Sequence, residues 1–359
     1  MASRRRLDQR TLNRALLARQ LLLERDARTP LEAVEWLAGM QCQEPPAPFF
    51  GLWSRLQDFQ AASLVELLES REVVRTTMMR ATLHLVSRRD LLAWRPVFQA
   101  MLEKRFRGSG FAREIQGVDL PAVVEAGREI LAAEPMGTAG LGRALAERFP
   151  GYDPNPLAYA VRFMLAVVQL PPRGTSLTKQ GGRAIVTPAE TWLGAEMDAD
   201  GDLDGIVLRY LAAFGPATVS DIRLWSGLPG IAGVVARLRE RLVAYEDERG
   251  RELYDVPNGR FADPEAHAPP RFLGEFDNLL LGHDDRTRVL PWGHRLGVVG
   301  GSRFALVDGY ARATWRLDGD DLAIEPLEPL GDVEELVAEG ERLLAFLGST
   351  GAVRLGDRP

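Results

Sequence analysis

Cysteine is all but missing from this sequence: Cys42 stands alone among 359 residues. One thiol excludes an internal disulfide and any cysteine-based zinc site. Its simplest reading is a small buried apolar residue. Lysine is nearly as scarce. Only Lys104 and Lys179 occur, so arginine supplies all but two of the 44 basic residues. Arginine suits bidentate phosphate contacts, although codon bias in a GC-rich genome is the simpler explanation. The four histidines, His84, His267, His283 and His294, have no ligand-like spacing. No metal is therefore expected, even at His283-Asp284-Asp285. No apolar run approaches the length of a transmembrane helix. The basic opening MASRRRLDQR is followed by no apolar stretch, so it does not read as a signal peptide. A cytoplasmic protein with no membrane partner is the default expectation. There is no dinucleotide-type GxGxxG, Walker loop or GxSxG elbow, which removes the common nucleotide-binding and serine-hydrolase classes. Nothing requires a cofactor or an obligate protein partner.

What is present is ordinary for a folded chain: 46% hydrophobic and 26% charged residues, enough for two or three domains and a substantial core. The net charge of −6 argues against a strongly electrostatic nucleic-acid binder, but a local basic stripe would suffice.

Three segments share one plan. In residues 206–256, IVLRYLAAFG is a first helix, and Ser220 is placed to cap a second. GIAGVVARLRERLVAYEDE is a third helix leading to the strand-like RELYDV. Helix, helix, helix and hairpin is the winged-helix order. Residues 121–192 repeat it, with Thr138 as a cap candidate and a glycine-rich wing from Gly174 to Val186. Residues 8–90 repeat it with insertions, the wing including VVRTTMMRATLHLVS. Beyond about residue 264, RFLGEFDNLLL, SRFALVDGY, ARATWRL and LAIEPLEPL read as short strands. Asp308-Gly309 is a hairpin signal, and DVEELVAEGERLLAFLG is a closing helix. The expected fold class is α+β, mainly α. It has three tandem winged-helix units (1–118, 119–200 and 201–263) and a β-rich C-terminal module (264–359).

The most informative stretch is Gln41-Cys42-Gln43. Leu31, Val34, Leu37 and Ala38 fall on one helical face, Gly39 is placed to end that helix, and Pro45 pushes Glu44 out of helical geometry. An extended segment from Met40 to Glu44 would point Gln41 and Gln43 the same way. Two amides in one cleft could hold a water, a sugar oxygen or a nucleobase edge. Alone, Gln-x-Gln is weak, since most glutamines are simply solvated.

Its surroundings add weight. LNRALLARQLLLERDARTPLEAVEWLAGMQCQEPPAPFFGLWSRL and RTTMMRATLHLVSRRDL resemble the AlkZ-like bacterial DNA glycosylases. RYLAAFGPATVSDIRLWSGL, FDNLLLGHDDRTRVL and VDGYARATWRL extend the resemblance over most of the chain. That family is built of tandem winged helices, removes bulky 7-alkylguanines and can unhook interstrand cross-links. Its signature is Gln-hydrophobic-Gln, or Gln-hydrophobic-Asp in a sister branch. The resemblance implies Gln41 and Gln43 as catalytic residues and double-stranded DNA with an alkylated guanine as partner. Where the family usually reads Arg-Gly-Thr-Leu-His, this chain has Ala81 in place of the glycine.

A glutamine cannot be a general base near neutral pH, but it can orient water and offer its carbonyl dipole to a developing cation. Such a neutral pair suffices for a cationic base that leaves uncharged. Around it, Arg80, Thr82 and His84 would line one face of a strand. They would serve phosphate or sugar contacts, or form a hydrogen-bonded triad holding the first unit together. Trp53 and Arg55 are channel candidates by proximity, though core packing accounts for most of Phe49-Phe50-x-x-Trp53. Arg286 and Arg288 are candidates for the DNA backbone. The hairpin from Val307 to Thr314 could enter a groove or be a plain core hairpin. The rival readings are a non-enzymatic winged-helix DNA-binding protein or regulator, and a structural protein with the motif packed internally.

Overall fold

The computed structural model describes residues 4–177, 182–290 and 301–356. Lys179, His294 and part of the glycine-rich stretch lie outside them. The first segment opens with strand β1 (Arg6–Leu7) and helix α1 (Gln9–Arg19), capped by the Asp8 carboxylate on the Thr11 N–H. Helix α2 (Pro30–Trp36) starts at a Thr29/Glu32 capping box, where each side chain satisfies the other residue's orphan N–H. Strand β2 (Met40–Gln41), helices α3 (Ala47–Trp53) and α4 (Ala61–Glu69), and strands β3 (Val73–Thr77) and β4 (Leu83–Ser87) follow. Helices α5 (Arg88–Arg107) and α6 (Gly110–Glu114) lead away.

The second segment is α7 (Leu120–Ala133), α8 (Thr138–Arg148), α9 (Pro154–Met164) and the pair β5 (Val167–Gln169) and β6 (Val186–Pro188), then α10 (Ala189–Leu193). The third is α11 (Leu203–Phe214), α12 (Val219–Ser226), α13 (Ile231–Arg237) and the hairpin β7 (Val243–Asp247) and β8 (Glu252–Asp255). The last stretch holds β9 (Arg271–Phe272), α14 (Asn278–Leu281), β10 (Arg303–Val307), β11 (Tyr310–Asp318), β12 (Asp321–Pro326), α15 (Glu334–Phe346) and β13 (Val353–Leu355). The fold is α+β, and three helices followed by an antiparallel strand pair occur in both the second and third segments.

The segments are stitched together through their sheets. One sheet runs β2-β4-β3-β5-β6, so β5 of the second segment pairs with β3 of the first, Arg75 opposite Gln169. A second runs β1-β7-β8, the first strand lying parallel to β7. The third runs β13-β12-β11-β10-β9. Helix α1 is buried from Thr11 to Arg19, and its polar groups find partners. Arg19 forms two hydrogen bonds to the Asp255 carboxylate, at 2.6 and 2.8 Å, both side chains fully buried.

Several local expectations are corrected. Thr218, not Ser220, caps α12 through a box with Asp221. Thr138 is the first residue of α8, behind Gly137. The third helix of residues 206–256 stops at Arg237, and VAYED pairs with β8 instead. There the β-ladder overrides helix-compatible spacing, because it satisfies backbone groups of three strands at once. DNLLL is the start of a short helix, not a strand. The Asp308-Gly309 turn is as expected, with positive φ at both residues, as a two-residue hairpin loop needs. Its tip does not project. Asp308 is held by Arg10 at 2.6 Å and by Arg14, and a Cβ on Gly309 would collide with Leu17, Arg14 and Asn13.

Candidate active site

The Gln-Cys-Gln segment is presented by a sharp helix stop. Leu37 is the C-cap of α2, and both Ala38 (φ +57) and Gly39 (φ +86) are left-handed. Gly39 is needed for space as well as dihedral angle: a Cβ there would lie 2.8 Å from Val86 Cγ1. The chain then enters the sheet. Met40 and Gln41 pair with Leu85 and His84, and the Cys42 N–H continues the ladder to the Leu83 carbonyl at 2.9 Å. Alternation does the rest. Met40 and Cys42 join an apolar core with Phe49, Phe50 and Trp53, Gln41 falls on the opposite face beside His84, and Gln43 lies beyond the end of the strand. Burial raises the Cys42 thiol pKa, which suits a packing residue rather than a nucleophile. Phe50 packs edge-on against Trp315 and Trp53 lies against Phe346, so this aromatic cluster is core.

Gln41 is only 7% exposed, and its Oε1 accepts from Arg80 Nη2 at 2.7 Å. A guanidinium can only donate, so the amide carbonyl must face Arg80 and the NH2 group is the part left to act. Arg80 is not on a strand, as expected from sequence, but in a 3-10 turn, Met79–Ala81. Both Arg80 (φ +55) and Ala81 (φ +58) are left-handed there. The glycine that the family usually carries at this place would adopt that conformation freely. Arg80 also donates to the Trp225 carbonyl at the end of α12. Gly227 admits this approach, since a Cβ on it would sit 3.1 Å from the Arg80 Cα.

His84 completes the arrangement from a buried position. Its Nδ1 lies 3.0 Å from the Thr82 carbonyl and its Nε2 3.4 Å from Arg80 Nη2. Nδ1 therefore carries the proton, and the Nε2 lone pair faces the cation. Burial, then the Arg80 charge, drop its pKa to about 3, so the ring is neutral. Burial and nearby Arg286 lower the Arg80 pKa to about 10, leaving it charged at neutral pH. A cation thus sits against the Gln41 carbonyl and polarises the amide, strengthening its N–H donors.

Gln43 is exposed and accepts from the Leu83 N–H at 3.3 Å. It lines a cavity of about 310 Å³ with Thr82, Arg75, Tyr159, Arg162, Gln169 and Arg173. Of these, only Thr82 was anticipated from sequence. Arg75 carried a signal that went unused, a charged residue inside the apolar strand VVRTT. Gln169 and Arg162 carried none, because they reach the site only through the β3–β5 pairing.

The remaining expected residues divide. Arg286 is half-buried beside a second cavity of about 310 Å³ with Arg249 and Arg251, and its Nε has no partner among the described residues. Arg55 corrects the channel expectation. It is fully buried, with two hydrogen bonds to Asp277 at 2.8 and 2.7 Å and two more to the Gln20 and Gly51 carbonyls, and has no face for a phosphate. Arg288 is likewise enclosed, donating to the Pro216 carbonyl at 2.8 Å beside His283. His84, with both ring nitrogens engaged, belongs to the buried triad rather than to a DNA surface. His283 is buried too, with a pKa near 3. No cluster of metal-ligating side chains and no helix long and apolar enough to cross a membrane occurs among the described residues.

An enzyme of nucleic acid repair is the class that this segment and its basic surroundings suggest, and comparison with known proteins bears on it directly. The family model described as DNA glycosylase AlkZ-like matches residues 34–346. The chain belongs to this family and is a DNA glycosylase. Among solved structures it is similar to the Streptomyces sahachiroi DNA glycosylase AlkZ, with a TM-score of 0.79 at 19% identity, over 98% of this chain and 100% of that one. That likeness establishes the shared fold. No curated protein sequence matches.

Proposed function

We propose that the chain is a monofunctional glycosylase that removes bulky, positively charged 7-alkylguanines from duplex DNA, with Gln41 and Gln43 at the scissile bond. One observation carries this reading. Two amides stand two residues apart, one oriented as a donor by Arg80 and the other on a basic cavity, and neither position holds a carboxylate.

Excision breaks the bond between C1′ and N9, and its electron pair passes to the base. That pair cancels the charge on a 7-alkylguanine, so the leaving group needs no acid. Water bonds to C1′ and releases its proton to solvent. Gln43 orients this water and turns its carbonyl dipole towards the oxocarbenium, while Gln41 donates to the water or a sugar oxygen. An unmodified guanine would leave as an anion with no acid to meet it, which makes the amide pair selective. Neither lysine belongs to the motif, and water remains the nucleophile.

In this reading the three helical segments are winged helices flanking a channel for the duplex, with Thr82 and Arg286 towards the DNA. A base tethered to the opposite strand cannot swing fully out, so an open channel with Gln43 exposed suits it. Unhooking of interstrand cross-links belongs to the same proposal, in general repair or in self-resistance to a DNA-alkylating natural product. The test is single-turnover base release from duplexes bearing 7-methylguanine or a bulkier 7-alkyl adduct. Release of both by wild type, lost in Gln43→Ala, is expected. A folded, DNA-bound wild type that releases neither would overturn it.

A further inference from the structure

The cavity beside Gln43 holds donors that the protein itself does not satisfy. Arg75, in the middle of β3, is 2% exposed. Its Nη2 donates to the Cys42 carbonyl at 2.9 Å, but its Nε and Nη1 are buried without a partner among the described residues. Arg162 Nε, on the same cavity, is a further buried donor without a partner among the described residues, and the Gln169 Oε1 there is a buried acceptor without one. Arg173 adds a third guanidinium, donating to the Gly182 carbonyl at 2.8 Å. Among the described residues no carboxylate lines the cavity. Gly174 (φ +89) leaves room for this arrangement, since a Cβ there would lie 2.7 Å from Arg75 Cδ.

Buried charged donors are costly to leave unpaired, and sites that retain them usually receive a complementary group. The alkylated base is excluded on charge, because three guanidiniums repel a cation. A sugar is neutral and leaves the charges unmatched. A phosphodiester supplies both negative charge and acceptors in the geometry that arginine prefers. A nucleotide's own phosphates lie one sugar ring from its glycosidic bond, as this cavity lies beside Gln43.

We infer that this cavity binds a backbone phosphate flanking the lesion nucleotide, gripped by Arg75, Arg162 and Arg173. The inference rests on Gln43 lying at the scissile bond. Arg75 does two things at once. The guanidinium that meets the phosphate also holds the Cys42 carbonyl between the two glutamines, so capture of the strand and placement of the amides are linked.

The test uses the full chain and duplexes carrying a tetrahydrofuran abasic analogue. The flanking phosphodiesters are replaced one at a time by uncharged methylphosphonates. Wild type should lose affinity about tenfold or more at one position adjoining the analogue, the scale of a lost charged hydrogen bond. In Arg75→Gln the same replacement should cost several-fold less than in wild type, since one of the three guanidinium contacts is already gone. Arg173→Gln, at a half-exposed residue, repeats the measurement if Arg75→Gln fails to fold. No sensitive position in wild type, or one that stays fully sensitive in a folded variant, would overturn the inference. Base release from 7-methylguanine is followed in parallel. A methylphosphonate effect without base release would indict the catalytic reading instead, and base release without the effect would indict the phosphate site.

Discussion

Arg55 and Arg75 are equally buried arginines with opposite electrostatic surroundings. Arg55 reaches the Asp277 carboxylate and two backbone carbonyls, as Arg19 reaches Asp255 on the far side of α1. Arg75 reaches one carbonyl and keeps two nitrogens without a partner among the described residues. The first kind joins distant parts of the chain and is complete within the protein. The second sits on a cavity beside Gln43 and is not completed by any of the described residues. In a chain that uses arginine almost throughout, burial and residue type say little about function, whereas the balance of donors to acceptors separates the two uses.

The largest effect expected from this contrast is at Arg55. Arg55→Ala strands the buried Asp277 carboxylate and should cost about 3–5 kcal/mol in urea unfolding. Asp277→Leu added to Arg55→Met should recover much of it. A loss under about 1 kcal/mol would mean that the pair behaves like a surface contact and that the contrast is misplaced. Next come the amides. Gln41→Ala and Gln43→Ala should each slow single-turnover excision by about 10² to 10³ with DNA affinity nearly kept, and excision at the wild-type rate would remove them from the mechanism.

The buried histidines give an effect of intermediate size. The folded pKa values of His84 and His283 are near 3, below the ordinary value of 6.5. Above pH 6.5 both states are neutral at these rings. As pH falls from 6.5 towards 3 the unfolded chain gains protons that the folded chain refuses, so stability falls by at most about 1.4 kcal/mol per pH unit for each ring. His84→Asn should flatten part of that slope between pH 6 and 4, and an unchanged slope would argue against a neutral His84. Smallest is Ala81→Gly. Relief of the left-handed strain, partly offset by unfolded-state entropy, should stabilise the chain by about 0.5–1 kcal/mol. A loss of stability on equilibrium unfolding would count against a strained turn.

The parts legible in sequence were those governed by neighbours in the chain. Gly39 ends its helix and the chain is extended at Met40 and Gln41, as local rules require, and Asp308-Gly309 marked its own turn. Arg80-Ala81-Thr82 alternates like a strand in sequence, while the backbone there turns left-handed beside Gly227. Arg55 seemed a channel residue because it is near the motif in sequence, and its partner Asp277 is 222 positions away. The basic cavity was hidden for the same reason. Gln169 comes opposite Arg75 only once β5 adds to the first segment's sheet, a pairing that no local pattern announces.

The bond from Arg80 to the Trp225 carbonyl bears on how far the Gln-Cys-Gln segment could be transplanted. The direction in which the Gln41 amide points is decided by a side chain whose other contact rests on a helix 145 residues later. Copying Gln-Cys-Gln, or even the whole β2–β4 region, into an unrelated scaffold would carry the letters without the support that orients them. The smallest unit that could be borrowed intact includes α12, so divergence in that helix is a route by which relatives with the same three letters could come to differ in rate.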